Sequence, residues 1–107
     1  MNTNEKIINF WLKGSDENLV SMEHFFSVKE YHWALFVGHL TIEKLLKALF
    51  LKNNPKEIDV PRTHNLVFLA QKANLALTDE QKNDLALFTT FNIEARYPDY
   101  KLKIYKI

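Results

Sequence analysis

The fold is decided by one stretch of sequence, Glu30 to Lys52, which reads EYHWALFVGHLTIEKLLKALFLK. If this stretch is an α-helix, apolar residues occupy almost all of its surface, and it contains no proline to interrupt it. A helix that is apolar nearly all round is covered by neighbouring elements on several sides. At about 1.5 Å per residue it is long enough to span a small domain. We therefore predict a central helix in an all-α protein.

The composition agrees with this prediction. The 107 residues suffice for one domain, 47% of them are hydrophobic, and only 2 glycines and 3 prolines are present to punctuate strands and turns. The absence of cysteine excludes disulfides and thiolate chemistry. We see no membrane span and no leader signature, and we expect a cytoplasmic protein. A net charge of +1 is weak support for binding nucleic acid through its backbone.

Two further helices are predicted on either side of the central one. The first runs from about Asn4 to Ser27, and a short third helix spans His64 to Ala73 with Thr63 as its N-cap. The first helix carries residues at three- and four-residue spacing that form one stripe: Ile8, Trp11, Leu12, Ser15, Leu19, Met22 and Phe26. The third is expected to bury Leu66, Leu69, Ala70 and Ala73.

A fourth helix is predicted from the capping box that Thr78 and Gln81 form. Pro98 disfavours helical geometry at the residue before it, so this helix should end near Arg96. Its buried residues are expected to be Leu85, Phe88, Phe91 and Ala95. Together the four patterns predict an antiparallel up-and-down bundle of two long and two shorter helices, followed by an irregular C-terminal tail.

The central helix carries polar residues in an otherwise apolar sequence. Four of them share a narrow stripe: His32, His39, Glu43 and Lys47. A fifth, Lys44, lies to one side of it. Glu43 and Lys47 are spaced for an i,i+4 ion pair. One interpretation is that the stripe is the solvated edge of the helix. The other is that it lines a cleft, in which Arg96 of the EARYPD segment (residues 94–99) pairs with Glu43, because a buried carboxylate needs a partner.

His64 and Arg96 allow the same two kinds of interpretation. His64 is either a polar residue at the start of a helix or a group that points into the cleft. Arg96 is either a structural tie between two helices or part of a binding site, with Tyr97 beside it.

Three segments together resemble a known family: HLTIEKLLKALFL (residues 39–51), THNL (63–66) and EARYPD (94–99). In this order and spacing they are similar to the HEPN domain (higher eukaryotes and prokaryotes nucleotide-binding), over about Ile8 to Asp99. His39 is a loose match to a polar position of the family. The direct matches are Glu43, Lys44, Lys47, His64, Arg96, Tyr97 and Pro98.

The resemblance implies an antiparallel helical bundle that commonly forms a homodimer. It also implies a partner, a small nucleotidyltransferase, in a two-component and in several cases toxin–antitoxin-like system. We expect a nucleotide or RNA ligand, no metal and no cofactor. The ligand-binding residues that the resemblance and the polar stripe indicate are His39, Glu43, Lys44, Lys47, His64, Arg96 and Tyr97.

Many HEPN proteins are metal-independent ribonucleases, whose signature is an arginine followed by four to six residues and a histidine. Here the positions counted from Arg96 hold Lys101, Leu102 and Lys103, so the signature is absent. Lysine is a poor substitute for imidazole in acid–base chemistry near pH 7. The absence favours a non-catalytic binding module.

Two alternatives stay open. One is a divergent ribonuclease in which Arg96 and Tyr97 hold the phosphate and His64 or His39 is the base. The other is a purely structural, dimerising bundle. The family also usually continues past RYPD into a further substantial helix, so residues 1–107 are expected to be one HEPN-like domain that either lacks that helix or is a natural short form.

Overall fold

A computed structural model describes the backbone of residues 2–96 and the side chains of residues 2–91. Within this range the chain forms four α-helices and no strand: α1 (Thr3–Ser27), α2 (Tyr31–Asn53), α3 (Leu66–Lys72) and α4 (Asp79–Arg96). None of these helices combines the length and apolar character that crossing a bilayer requires. The prediction of an all-α antiparallel bundle is confirmed, whereas the predicted irregular tail after Arg96 lies outside the described residues.

Helices α1 and α2 form an antiparallel hairpin with a short connection. Asn2 caps α1 by accepting a hydrogen bond from the backbone N–H of Glu5 at 2.8 Å. After α1 ends, Lys29 adopts a left-handed conformation with φ 63°, and the N–H of Glu30 returns to the carbonyl of Phe25 at 2.8 Å. This reversal turns the chain directly into α2, so the two long helices lie side by side.

Helix α2 is central, as predicted. It packs against each of the other three helices, whereas α1 contacts α2 alone among the described helices. Leu46 of α2 joins three fully buried residues of α3, Leu66, Leu69 and Ala70, in the main apolar core. The predicted burial of Ala73 is also confirmed. Burial on both sides explains why α2 needs so few polar residues.

The stripe predicted on α1 is only partly correct. Trp11, Ser15 and Met22 face α2, and Ser15 Oγ donates to the carbonyl of Thr41 at 2.8 Å. Three members of the predicted stripe are instead exposed: Leu12, Leu19 and Phe26. Around the helix Leu12 lies about 100° from Trp11, whereas Leu19 and Phe26 lie only about 40° from Ser15 and Met22, on the flank of the contacting face. A single partner helix covers a narrower sector of α1 than the prediction assumed.

The predicted start of α3 is wrong by two residues. Asn65, not Thr63, is the N-cap, and its Oδ1 accepts from the N–H of Phe68 at 3.0 Å. Thr63 Oγ1 accepts instead from the N–H of Asn65. An earlier start would direct the N–H of Phe68 to the carbonyl of His64, but that N–H donates to Asn65 instead, and the carbonyl accepts from the ring of His39. The side chain of Asn65 therefore caps α3, while α2 holds the residue before the cap.

The predicted capping box of α4 is confirmed. Gln81 N–H donates to Thr78 Oγ1 at 3.1 Å, and Thr78 N–H donates to Gln81 Oε1 at 3.0 Å. Further along α4, Thr89 Oγ1 accepts from the N–H of Leu66 and fixes α4 against the start of α3. The expected core residues of α4 that fall within the described side chains are partly buried: Leu85, Phe88 and Phe91. Ala95 lies outside them.

We predict that Thr78→Ala lowers the free energy of unfolding by about 1 kcal/mol, because the first turn of α4 loses its side-chain acceptor. The matched control is Thr90→Ala, which removes a hydroxyl from the exposed middle of the same helix and should change stability by less than about 0.5 kcal/mol. Urea unfolding followed by circular dichroism measures both. Equal effects of the two substitutions would contradict the role of the box.

Candidate functional site

The site is built around the carboxylate of Glu43 in the middle of α2. Its Oε1 lies 2.5 Å from His64 Nδ1, and its Oε2 lies 3.2 Å from Lys47 Nζ. Both oxygens are therefore engaged, one by the next turn of the same helix and one by the connection that precedes α3. The predicted i,i+4 pair of Glu43 and Lys47 is confirmed.

The pair of Glu43 and Lys47 lies almost out of water. The side chain of Glu43 is 5% exposed and that of Lys47 is 10% exposed. Lys47 Nζ also lies 5.0 Å from the ring centroid of Trp11 on α1, within the range of a cation–π contact. These contacts compensate part of the cost of removing two charges from solvent. The interpretation of Glu43 and Lys47 as a solvated edge of α2 is therefore wrong.

His39 supports the site from the same face of α2. Its ring is fully buried, and its Nε2 donates to the backbone carbonyl of His64 at 2.9 Å. A carbonyl can only accept, so Nε2 of His39 carries the proton. Its Nδ1 lies 3.9 Å from Glu43 Oε1. His39 and Glu43, one turn apart, thus hold the backbone and the side chain of His64 respectively.

His64 is the accessible member of the group. Its side chain is 51% exposed, although its Nδ1 contacts a buried carboxylate. A carboxylate oxygen accepts hydrogen bonds, so the Nδ1 of His64 is assigned as the donor in this contact. The Nε2 atom, across the ring, faces away from Glu43. The arrangement fixes one tautomer of a half-exposed imidazole.

The remaining predicted site residues are distributed differently. His32 is exposed near the start of α2 and takes no part in the cluster. The side chain of Lys44 lies over Gly14 of α1, so that a methyl group on Gly14 would sit 3.1 Å from Lys44 Cδ. The side chain of Arg96 and all of Tyr97 and Pro98 lie outside the described residues. The predicted pairing of Arg96 with Glu43 therefore stays a prediction, as does the ribonuclease hypothesis that depends on it.

Sequence reasoning missed Trp11 as a neighbour of the site. Its indole was assigned only to the apolar stripe of α1, and no local pattern shows that it contacts Lys47. An available signal was the antiparallel register, since Trp11 is the ninth residue of α1 and Lys47 the seventh of α2, both counted from the open end of the hairpin. The role of His64 was also misplaced, because it precedes α3 and does not belong to it.

Together these features define a small all-α bundle with a buried carboxylate cluster beside its central helix. The family model of the HEPN domain matches residues 8–105, and the chain belongs to the HEPN domain family. The resemblance seen in the sequence is thus confirmed. No curated protein matches the chain, and no solved structure does.

We predict that Glu43→Gln lowers the free energy of unfolding by about 3 kcal/mol, because the substitution leaves Lys47 buried without its counter-charge. Glu17→Gln removes an exposed carboxylate from α1 and should cost less than about 0.5 kcal/mol. The double variant Glu43→Gln, Lys47→Met should recover part of the loss, since it buries no unpaired charge. Urea unfolding of the three proteins measures these differences.

A loss at Glu43→Gln as small as that at Glu17→Gln would show that the ion pair contributes nothing to the fold. Failure of Lys47→Met to recover any stability would show that the unpaired ammonium group is not the cause of the loss.

Proposed function

We propose that this chain is a HEPN module that binds the phosphate of a nucleotide or RNA at the half-exposed ring of His64. The single observation that supports the proposal most strongly is the contact between His64 Nδ1 and Glu43 Oε1. It holds an imidazole at the surface in one orientation, with a buried carboxylate behind it. In the ligand complex the protonated form of this ring would donate from Nε2 to a phosphate oxygen.

Each residue of the cluster has a different part in this proposal. His64 contacts the ligand, because it alone among Glu43, Lys47, His39 and His64 is substantially exposed. Glu43 and His39 position it, and Lys47 pairs with the second oxygen of Glu43. Lys44 adds positive charge on the α1 side of α2. Arg96 and Tyr97 are proposed as further ligand contacts on the strength of the family resemblance alone.

The finer parts of the proposal also come from the family. We propose a homodimer that acts with a small nucleotidyltransferase as a two-component, toxin–antitoxin-like system in the cytoplasm. Support for a dimer comes from a row of exposed apolar side chains on one side of the α1–α2 hairpin: Leu12, Leu19, Phe26 and Leu35. A groove of about 380 Å³ between Phe26 and Leu35 continues this row, lined almost entirely by apolar atoms. Contiguous apolar surface of this kind is typical of association sites.

We predict that the chain binds ATP and that His64→Ala weakens the binding about tenfold, the loss expected for one hydrogen bond to a charged group. His24→Ala is the matched control, because His24 is an exposed histidine on α1 and should leave affinity unchanged. Isothermal titration with ATP, GTP and a short single-stranded RNA measures the affinities.

If no ligand binds up to millimolar concentration, and no nucleotidyltransferase copurifies with the chain, both halves of the proposal fail. A stability loss at Glu43→Gln without any ligand binding would support the purely structural alternative.

We predict that the chain is a dimer in solution and that Leu19→Glu converts it to a monomer, because the substitution places a charge in the apolar row. Val20→Glu is the control: Val20 is 68% exposed but points about 100° away around α1. Sedimentation equilibrium determines the mass of each variant. A monomeric parent, or a dimer that survives Leu19→Glu, would contradict the assignment of this surface.

A further inference from the structure

We propose that His64 is a phosphoryl acceptor: its Nε2 attacks the γ-phosphorus of a nucleoside triphosphate and becomes a phosphohistidine. The inference depends on the proposed function for its phosphoryl donor, a bound nucleotide. The structural argument for a reactive His64 does not depend on that proposal. That basis is the combination of a buried, engaged carboxylate with a half-exposed imidazole, found at Glu43 and His64.

The carboxylate determines which ring nitrogen is the nucleophile. Glu43 Oε1 accepts a hydrogen bond from His64 Nδ1 at 2.5 Å. The proton therefore stays on Nδ1, and the neutral ring carries its lone pair on Nε2. When Nε2 bonds to phosphorus, positive charge develops on the ring, and the Nδ1–H remains hydrogen-bonded to Glu43. A buried carboxylate stabilises that charge better than water does. An orienting group behind the reactive one is a general feature of activated nucleophiles.

The backbone of His64 is held as firmly as its ring. Its carbonyl accepts from His39 Nε2 at 2.9 Å, and Asn65, the next residue, donates its N–H to Thr63 Oγ1 at 3.1 Å. Both His39 and Glu43 belong to the central helix α2. Because a rigid helix holds both the backbone and the ring of His64, this nucleophile needs little reorganisation to reach an in-line geometry with the phosphorus atom.

The other histidines lack this combination. His39 is fully buried and cannot meet a donor in solution. His24 and His32 are exposed, and neither forms an ion pair with a carboxylate within the described side chains. They serve as internal references for the reactivity of an imidazole that no carboxylate orients.

The step balances without any further reactant. The Nε2 lone pair forms the N–P bond, the bond between the γ-phosphorus and the β,γ-bridging oxygen breaks, and the nucleoside diphosphate leaves with that electron pair. Magnesium bound to the triphosphate neutralises the leaving group, as it does in phosphoryl transfer generally. The proton on Nδ1 stays between the ring and Glu43.

The test has two arms. In the first, the chain reacts with potassium phosphoramidate, a small phosphoryl donor that requires no nucleotide site, and mass spectrometry at neutral to alkaline pH measures the rate at each histidine. We expect His64 to react about tenfold or more faster than His24 in the same molecule. Glu43→Gln should remove this advantage and leave the rate at His24 unchanged. In the second arm, magnesium ATP labelled on its γ-phosphate replaces phosphoramidate.

His24 serves as the internal reference for the rate. A general loss of structure in the Glu43→Gln variant would be detected by the far-UV circular dichroism of that variant and by faster reaction at the normally buried His39. Lys47→Met is the second variant: it keeps Glu43 and should reduce the rate at His64 less than Glu43→Gln does.

Selective reaction at His64 in both arms supports the proposal. Equal rates at His64 and His24 overturn it, even if ATP binds. Selectivity with phosphoramidate but no transfer from bound ATP also overturns it, and leaves the proposed nucleotide binding intact.

Discussion

The carboxylate of Glu43 is the contact on which the arrangement around α2 depends. A carboxylate that is 5% exposed costs several kcal/mol to desolvate unless hydrogen bonds and an opposite charge replace the water. Lys47 supplies the charge from within α2, and His64 supplies a hydrogen bond from a segment 21 residues away in sequence. The connection between α2 and α3 is therefore held to the central helix by a polar contact. A second polar contact holds the same segment, since the ring of His39 donates to the carbonyl of His64 just before α3 begins.

The two sides of α2 are stabilised in different ways. Toward α3 and α4, apolar residues such as Leu46 and Leu66 are buried. Toward α1, the contacts are more polar and depend on a close approach, with Ser15 bonded to the carbonyl of Thr41 and Gly14 lying beneath Lys44. Helix α1 has no second partner among the described helices, which leaves Leu12, Leu19 and Phe26 exposed on it. This exposed side of α1 is the surface on which we propose that a second copy of the chain binds.

Much of the fold could be predicted from the sequence, and the successes share a cause. The central position of α2, the buried residues of α3 and the capping box of α4 all follow from patterns within one helix. The errors concern relations between elements. Periodicity placed Leu19 and Ser15 in one stripe, but only the width of the partner helix decides which of them is covered. The contact of His39 with the carbonyl of His64, 25 residues later, leaves no local signal.

The candidate site shows the same division. The pairing of Glu43 with Lys47 was predictable because both lie on one helix face. The contact of Glu43 with His64 depends on how the segment between α2 and α3 runs, which the sequence does not show. The predicted contact of Glu43 with Arg96 is not excluded by these neighbours. A carboxylate oxygen has two lone pairs, so Oε1 and Oε2 can each accept a further donor.

Membership of the HEPN family without the arginine–histidine signature raises the question of what remains for chemistry in this chain. The signature places an imidazole shortly after an arginine in the last part of the domain. Here a half-exposed imidazole lies instead on the connection before α3, with a buried carboxylate behind it. A histidine so placed has an orienting group, which an isolated surface histidine lacks. The absence of the motif therefore does not leave the described part of the chain without an oriented imidazole, because Glu43 orients His64.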